Sequence, residues 1–224
     1  MDRILRYLSQ LERNNDRDWF HAHKEEYRQA CGDFEAFLGR LIPALCARDA
    51  SIPLTDPKDL TFKLNRDTRF SHDKSPYNPA FRAHIGPMGK LPIPVGYYIM
   101  VKPGGRSFLG GGLFADMFKD ATTRIRDAIA QNGAEWEAVL ADPAFRARFT
   151  LGGEALKNVP RGYDPGHPQA EYLKYKSWYL EYPVADEALL EEGFFSGAVE
   201  TFAAMAPFNA FLNRALEGFE MPKR

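Results

Sequence analysis

The chain has 224 residues, of which 45% are hydrophobic and 26% charged, a composition typical of a folded globular domain rather than a disordered chain. Its net charge of −1 argues against a strongly basic protein that binds nucleic acid through its overall charge. Charges interrupt the N-terminal segment, and no stretch reaches the roughly 20 apolar residues that span a bilayer, so we expect no signal peptide, no membrane span and a cytoplasmic location. No linker or repeat divides the sequence, which predicts one domain over residues 1–224.

The N-terminal part is predicted to be helical. Apolar residues recur with the spacing of an amphipathic helix at Ile4, Leu5, Leu8 and Leu11. A second helical stretch begins near Asp16 and runs to about residue 45. It contains Cys31 and Cys46, the only cysteines, which a continuous helix would hold roughly 22 Å apart. They are therefore predicted to stay unpaired, as in a reducing compartment.

Strand patterns follow these helices. Alternating or continuous apolar segments predict five strands: LTFKLNRD, FRAHIG, VGYYIMVKP, RSFLGGGLF and, much later, KSWYLEYPV. Short turns at PMGKLPIP and PGG connect FRAHIG, VGYYIMVKP and RSFLGGGLF, which favours antiparallel pairing.

Helices are predicted again between and after the last strands. Asp116 is expected to cap a helix that ends near Gln131, and Asp142 to cap one that has Pro143 in its first turn. The tail from residue 186 is predicted to be helical, with a separate last helix that starts at Pro207 and stops at Gly218. The order of these elements predicts an α+β fold: one mainly antiparallel sheet with N-terminal and C-terminal helices packed on it.

The segment RDTRFSHDKSPYNPAF gathers many ionisable groups in a loop. Candidate ligand-binding residues there are Arg66, Arg69, Lys74, Ser75 and Tyr77. Guanidinium groups bind carboxylates or phosphates through paired hydrogen bonds, so the loop is predicted to bind an anion. Asp67 and Asp73 are candidates for a catalytic base. An alternative left open is a self-neutralising network, in which both aspartates pair with the arginines and fix the loop.

Two further segments are predicted to join this site. Residues 58–84 carry a local charge of +3 and residues 157–176 one of +2, so their convergence would create a basic pocket. The additional ligand-binding candidates are Arg82, Gly110, Gly111, Lys174, Lys176 and Trp178. The glycines have two interpretations: a structural bulge in the strand, or a pocket floor of bare backbone.

Metal and cofactor sites are not predicted. His21 and His23 form an H-x-H pair, but on a helix these side chains diverge. The glycine-rich strand lacks the lysine and hydroxyl residue of a phosphate-binding P-loop. We therefore expect no metal and no cofactor.

Several ordered motifs resemble one family. FKLNRDTRFSHDKSPYNPAFRAHIG, GYYIMVKPGGRSFLGGGLF and LKNVPRGYDPGHPQAEYLKYKSW are similar to segments of the bacterial and fungal family catalogued as domain of unknown function 2461, as is NNDRDWFHAHKEEY near the start. One departure is His72, which stands where the R-F-S-x-D-K-S-P-Y motif is expected to have lysine. The resemblance implies no chemistry, because no activity, substrate or catalytic residue is established for the family.

The leading hypothesis is therefore a protein that binds a small anionic or phosphorylated ligand in a basic pocket. The same groups would suit a hydrolase or transferase, although no nucleophile and base pair can be assigned, and whether the protein is an enzyme is left open. The alternatives are nucleic-acid binding through aromatic and basic side chains, and a non-catalytic interaction module. The sequence predicts no oligomeric state.

Overall fold

The computed structural model describes residues 1–114 and 118–222. Its N-terminal part consists of three helices, α1 (Asp2–Arg13), α2 (Arg17–Ala22) and α3 (Lys24–Cys46). Helix α1 buries the predicted apolar stripe, with Ile4, Leu8 and Leu11 inaccessible to solvent. The cysteines of α3 are both free.

The predicted second helix is two helices. Asp16 begins α2, where its side chain accepts a hydrogen bond of 2.8 Å from the Trp19 amide. His23 then leaves helical geometry, at φ −106° and ψ 25°. Its imidazole stacks on the Trp19 ring with centroids 4.0 Å apart. The expectation of one helix from Asp16 is therefore wrong, because the chain is interrupted at His23.

A five-stranded antiparallel sheet forms the centre of the fold. Its strands are β1 (Phe81–Ile85), β2 (Tyr97–Val101), β3 (Ser107–Leu113), β4 (Leu151–Gly152) and β5 (Trp178–Val184), in the order β1-β2-β3-β5-β4. Four of these strands match predicted segments. Strand β4 has only two residues, too few for a periodic signal in the sequence.

The segment LTFKLNRD is not the strand that its alternation predicts. It begins in a short helix, α4 (Pro57–Leu60), which Asp56 caps by accepting a hydrogen bond of 3.0 Å from the Lys58 amide. Residues 61–65 are then linked to β1 and the following loop by isolated bridges at Thr61 and Asn65. Because these bridges are isolated, residues 61–65 form no continuous ladder with β1.

Six more helices follow within the described residues. They are α5 (Lys119–Gln131), α6 (Gly133–Ala141), α7 (Pro143–Arg146), α8 (Ala170–Leu173), α9 (Asp186–Leu190) and α10 (Phe194–Ala215). Asp142 caps α7 as predicted, since it accepts a hydrogen bond of 3.0 Å from the Phe145 amide. Asp116, the predicted cap of α5, lies outside the described residues.

Helix α10 corrects another expectation, because it continues through Pro207 instead of starting there. A proline inside a helix costs about 3 kcal/mol. The residues on either side, including Phe202, Met205 and Phe208, are inaccessible to solvent. Burying each such side chain contributes roughly 1.5–3 kcal/mol, so packing outweighs the proline. The helix ends shortly before Gly218, which has a φ of +71°.

The two faces of the sheet differ. Helix α10 packs against β3 on the inner face, where Leu109, Leu113 and their neighbours are buried. Alternate residues of the same strands point to the opposite side, which we call the outer face. Tyr98 and Phe108 lie there and are only partly buried. The fold is thus the predicted α+β domain, with its helical core on one side of the sheet.

Candidate functional site

The arginines of the 66–77 loop are paired within the loop. Arg66 forms an ion pair with Asp73, and Arg69 forms one of 2.6 Å with Asp67. The ammonium group of Lys74 donates a hydrogen bond of 3.0 Å to the Thr68 carbonyl. These are the contacts of the self-neutralising network, so anion binding by the loop stays a prediction.

These ion pairs also affect the two candidate bases. The Arg69 side chain lowers the pKa of Asp67. Hydrogen bonds from Ser75, followed by that from Arg66, lower the pKa of Asp73. A carboxylate with a depressed pKa is a weak proton acceptor, which makes both aspartates poorly suited to base catalysis near neutral pH.

Tyr77 belongs to the core. Its ring is buried and stacks on Phe20 with centroids 4.2 Å apart. Its backbone exchanges two hydrogen bonds with the side chain of Asn15, of 2.9 and 3.1 Å. Tyr77 therefore anchors the end of the loop to the N-terminal helices.

The second basic stretch has acidic partners of its own. Lys174 pairs with Glu171 and Lys176 with Glu154, each at 2.6 Å. Trp178 is inaccessible to solvent on the inner face. Lys174 and Lys176 therefore resemble the arginines of the 66–77 loop, because each has a carboxylate partner.

The expected convergence of the two basic stretches is wrong. The 66–77 loop precedes β1 at Phe81, and residues 174–176 precede β5 at Trp178. Strands β1 and β5 are antiparallel to each other and separated by two strands, so their first residues lie at opposite ends of the sheet. The two stretches therefore occupy diagonally opposite corners.

The three glycines of β3 differ in their surroundings. A Cβ added to Gly111 would lie 3.0 Å from Met205 Sδ, so this glycine faces α10 and cannot floor a pocket on the outer face. Gly112 has a φ of +86°, and an added Cβ would lie 2.4 Å from the Trp178 carbonyl oxygen. Gly110 lies on the outer face, where an added Cβ would approach the rings of Phe108 and Phe114 to 3.2 Å. Gly110 therefore lies on the outer face beneath these two rings.

A cleft of about 410 Å³ lies on the outer face. It is lined by Phe62, His84, Lys90, Pro92, Tyr98, Phe108, Gly112, Phe114 and Glu181. Its volume falls within the range of small-molecule sites, and its walls combine aromatic rings with a few ionisable groups, as such sites do.

Aromatic rings form a continuous row across this cleft. Tyr98 lies at its centre, with centroid distances of 6.3 Å to Phe62, 5.6 Å to Phe108 and 6.0 Å to Phe114. Phe114 in turn stacks on Tyr179 at 4.6 Å and is 42% exposed. The rings offer flat apolar surface that is already held in position by its neighbours.

The ionisable groups of the cleft follow the sheet register. His84 pairs with Tyr98, Tyr98 with Gly110, and Gly110 with Glu181. His84 and Glu181 are thus at the two ends of a row, with only a tyrosine and a bare glycine between them. Desolvation lowers the pKa of His84, and desolvation raises the pKa of Glu181.

Two cations adjoin the histidine end of the cleft. The Lys90 ammonium group donates a hydrogen bond of 3.2 Å to the Thr61 carbonyl. The Arg82 guanidinium lies 5.5 Å from the Phe62 ring centroid and donates a hydrogen bond of 3.3 Å to the Lys63 carbonyl. Within the described part of the chain, neither forms an ion pair with a carboxylate. Their charge, unlike that of the loop arginines, is not neutralised by a nearby partner.

Sequence reasoning identified none of the residues that line the cleft, although its candidates Arg82 and Gly110 contact lining residues. The missed residues are Phe62, His84, Lys90, Pro92, Tyr98, Phe108, Gly112, Phe114 and Glu181. A signal existed in the alternation of β1 to β3, since the positions opposite the core carry rings and a histidine instead of ordinary surface residues. The grouping itself required the strand order.

A family model described as a conserved hypothetical protein (DUF2461) matches residues 3–211, which include the 66–77 loop and every residue of the cleft. The chain belongs to the DUF2461 family. Neither the curated proteins nor the solved structures gave a significant match.

We also searched the described residues for membrane-spanning helices and for groups of metal ligands. Across 1–114 and 118–222, no helix is long and apolar enough to cross a membrane. No group of three or more His, Cys, Asp or Glu side chains in these ranges could hold a metal ion.

Proposed function

We propose that the outer-face cleft of this DUF2461 protein binds a small molecule that combines a planar ring with an anionic group. The observation that carries the proposal is the joint presence of preformed aromatic walls and cations that have no acidic partner among residues 1–114 and 118–222. Ring surface favours the apolar body of a ligand, and an unneutralised ammonium group favours its anion.

The cleft supports this proposal better than the 66–77 loop does. An anion that binds Arg66 or Arg69 must compete with an aspartate already in contact. Lys90 donates only to a neutral carbonyl, so a ligand anion would add a charge-assisted contact without breaking an ion pair. The proposal thus keeps the anionic ligand expected from the sequence, but places its binding site in the cleft instead of the loop.

The proposal concerns binding and assigns no reaction. Among the described residues that line the cleft there is no serine, threonine or cysteine that could act as a nucleophile. The described lining residues include one imidazole, His84, and one carboxylate, Glu181, which could exchange protons with a bound molecule. A hydrolase or transferase would use these two groups instead of Asp67 and Asp73.

Calorimetric titration with 2-naphthyl phosphate tests the proposal. We expect saturable binding, and weaker binding of 2-naphthol, which lacks the anion, and of inorganic phosphate, which lacks the ring. Lys90→Gln should reduce the affinity for naphthyl phosphate about tenfold, because it removes a charge-assisted contact. Lys157→Gln is the matched control, since Lys157 is an exposed lysine outside the cleft.

Two results would contradict the proposal. One is the absence of saturable binding by naphthyl phosphate. The other is an equal loss of affinity in Lys90→Gln and Lys157→Gln, which would reduce the role of Lys90 to general surface charge.

A further inference from the structure

We infer that the ring bound in the cleft is a guanine-type base joined through a sugar to a phosphate, with Glu181 binding the base and Lys90 the phosphate. This inference rests on the proposed function and adds to it the chemical class of the ligand. It follows from the order in which the polar groups of the cleft occur across the sheet.

His84 presents one nitrogen to the cleft as an acceptor. Its Nδ1 lies 2.9 Å from the Gly89 carbonyl oxygen, which can only accept, so Nδ1 carries the proton. Burial lowers the pKa of the ring and favours its neutral form. Nε2 is then a bare acceptor, and it forms no hydrogen bond with any other described residue. A ligand group beside it must supply an O–H or N–H donor.

Glu181 presents two acceptors at the other end of the row. Its carboxylate has no ion pair or hydrogen bond among residues 1–114 and 118–222. A carboxylate accepts two parallel hydrogen bonds from adjacent donors. The edge of a guanine base offers such a pair, its ring N–H and its neighbouring amino group, whereas adenine offers no ring N–H there.

The surface beside Glu181 suits a base. Gly110 faces Glu181 across the ladder and has no side chain. The Phe108 and Phe114 rings cover this glycine, since an added Cβ would lie 3.2 Å from each, and Phe114 is held parallel to Tyr179 with an interplanar angle of 16°. Aromatic rings stabilise bound bases by stacking, and the rings that cover Gly110 offer such a surface beside Glu181.

The opposite end suits a sugar and a phosphate. Lys90 and His84 both line the cleft, and the carbonyl of Gly89, the residue before Lys90, accepts a hydrogen bond from His84. Across three strand spacings the His84 and Glu181 backbones lie roughly 14 Å apart. A base that hydrogen-bonds Glu181 therefore directs its sugar toward His84, where a sugar hydroxyl meets the bare acceptor and the phosphate reaches Lys90.

The same base and phosphate unit occurs in free nucleotides and in single-stranded nucleic acid. The experiment therefore compares guanosine, inosine and adenosine monophosphates, a short oligouridylate with one central guanosine, and 2-naphthyl phosphate. We expect guanosine monophosphate to bind at least tenfold more tightly than adenosine monophosphate, with inosine monophosphate between them because it retains only the ring N–H. Tighter binding of the oligonucleotide than of the mononucleotide would assign the source to nucleic acid.

Two glutamine variants provide the internal control. Glu181→Gln keeps the size of the side chain but removes the paired acceptors, so it should lower guanosine monophosphate affinity about tenfold and change adenosine monophosphate affinity less than twofold. Glu187→Gln, at an exposed glutamate of α9, should leave both affinities unchanged. Melting curves of each variant establish that it is folded.

The outcomes separate this inference from the proposed function. Equal affinity for guanosine and adenosine monophosphates, or unchanged guanosine monophosphate binding in Glu181→Gln, overturns the inference. If naphthyl phosphate binds as tightly as every nucleotide, the cleft remains a site for ring-bearing anions and the guanine assignment fails. Binding of neither naphthyl phosphate nor any nucleotide overturns both.

Discussion

Arg66 and Arg69 each face an aspartate of their own loop, whereas Lys90 and Arg82 face rings and backbone carbonyls. The sequence indicated possible ion pairs in the loop, because two aspartates lie in the same short segment as the two arginines. It could not decide between an ion-pair network and an anion site, since both use the same residue types. The distances between guanidinium and carboxylate groups settle the pairing.

Replacement of Arg69 tests the function of the loop. The Arg69 side chain is 77% exposed, and that of its partner Asp67 is 58% exposed. Exposed ion pairs contribute little to stability, so we expect Arg69→Ala to melt within about 1 °C of the parent protein, with and without added phosphate. Arg161→Ala is the control at another exposed arginine.

Either of two melting results would change this interpretation of the loop. Stabilisation of the parent by phosphate that disappears only in Arg69→Ala would place an anion site at the loop, as the sequence predicted. A drop of several degrees under both conditions would mean that Arg69 maintains the fold.

Strand β3 shows what periodicity can and cannot predict about an element. Its apolar run and its position among short connections were enough to identify an antiparallel strand. The separate environments of its three glycines depend on α10, β5 and the rings of the outer face, which are distant in sequence. For the same reason the alternation in LTFKLNRD was misleading, because a capped proline turn at its start has no effect on the hydrophobic pattern.

Alanine substitutions in β3 should separate fold from site. Gly112→Ala is expected to destabilise the protein by about 2 kcal/mol or more, because Gly112 has a positive φ and an added Cβ would meet backbone at 2.4 Å. Gly110→Ala meets its neighbours at 3.1–3.2 Å and should cost less stability. It should nevertheless weaken naphthyl phosphate binding, since its methyl group would displace the Phe108 and Phe114 rings that line the cleft.

Urea unfolding and calorimetric titration of both variants provide the measurements. Equal destabilisation by the two substitutions would show that the neighbours of Gly110 on the outer face cannot move to accommodate a methyl group. Unchanged ligand affinity in a folded Gly110→Ala variant would show that the bare backbone has no role in binding.

For the whole molecule, strand order determines which sequence segments can form one site. The pattern of helices and strands predicted the α+β class, since it depends on local periodicity and on short connections. The position of β5 between β3 and β4 leaves no comparable trace in the sequence, and that position separates the two basic stretches. The same position of β5 pairs Glu181 with Gly110. The cleft therefore includes both Phe62 and Glu181, which are nearly 120 residues apart in the sequence.

The central claim is that ligands bind on the outer face of the sheet and not at the basic loop. The most direct test is a nitrogen-15 NMR titration of the intact protein with 2-naphthyl phosphate. We expect the largest amide shifts in the middle of the sheet, at His84, Tyr98 and Gly110, with little change in residues 66–77. Shifts confined to residues 66–77 or 174–176, with β1, β2 and β3 unchanged, would contradict the account.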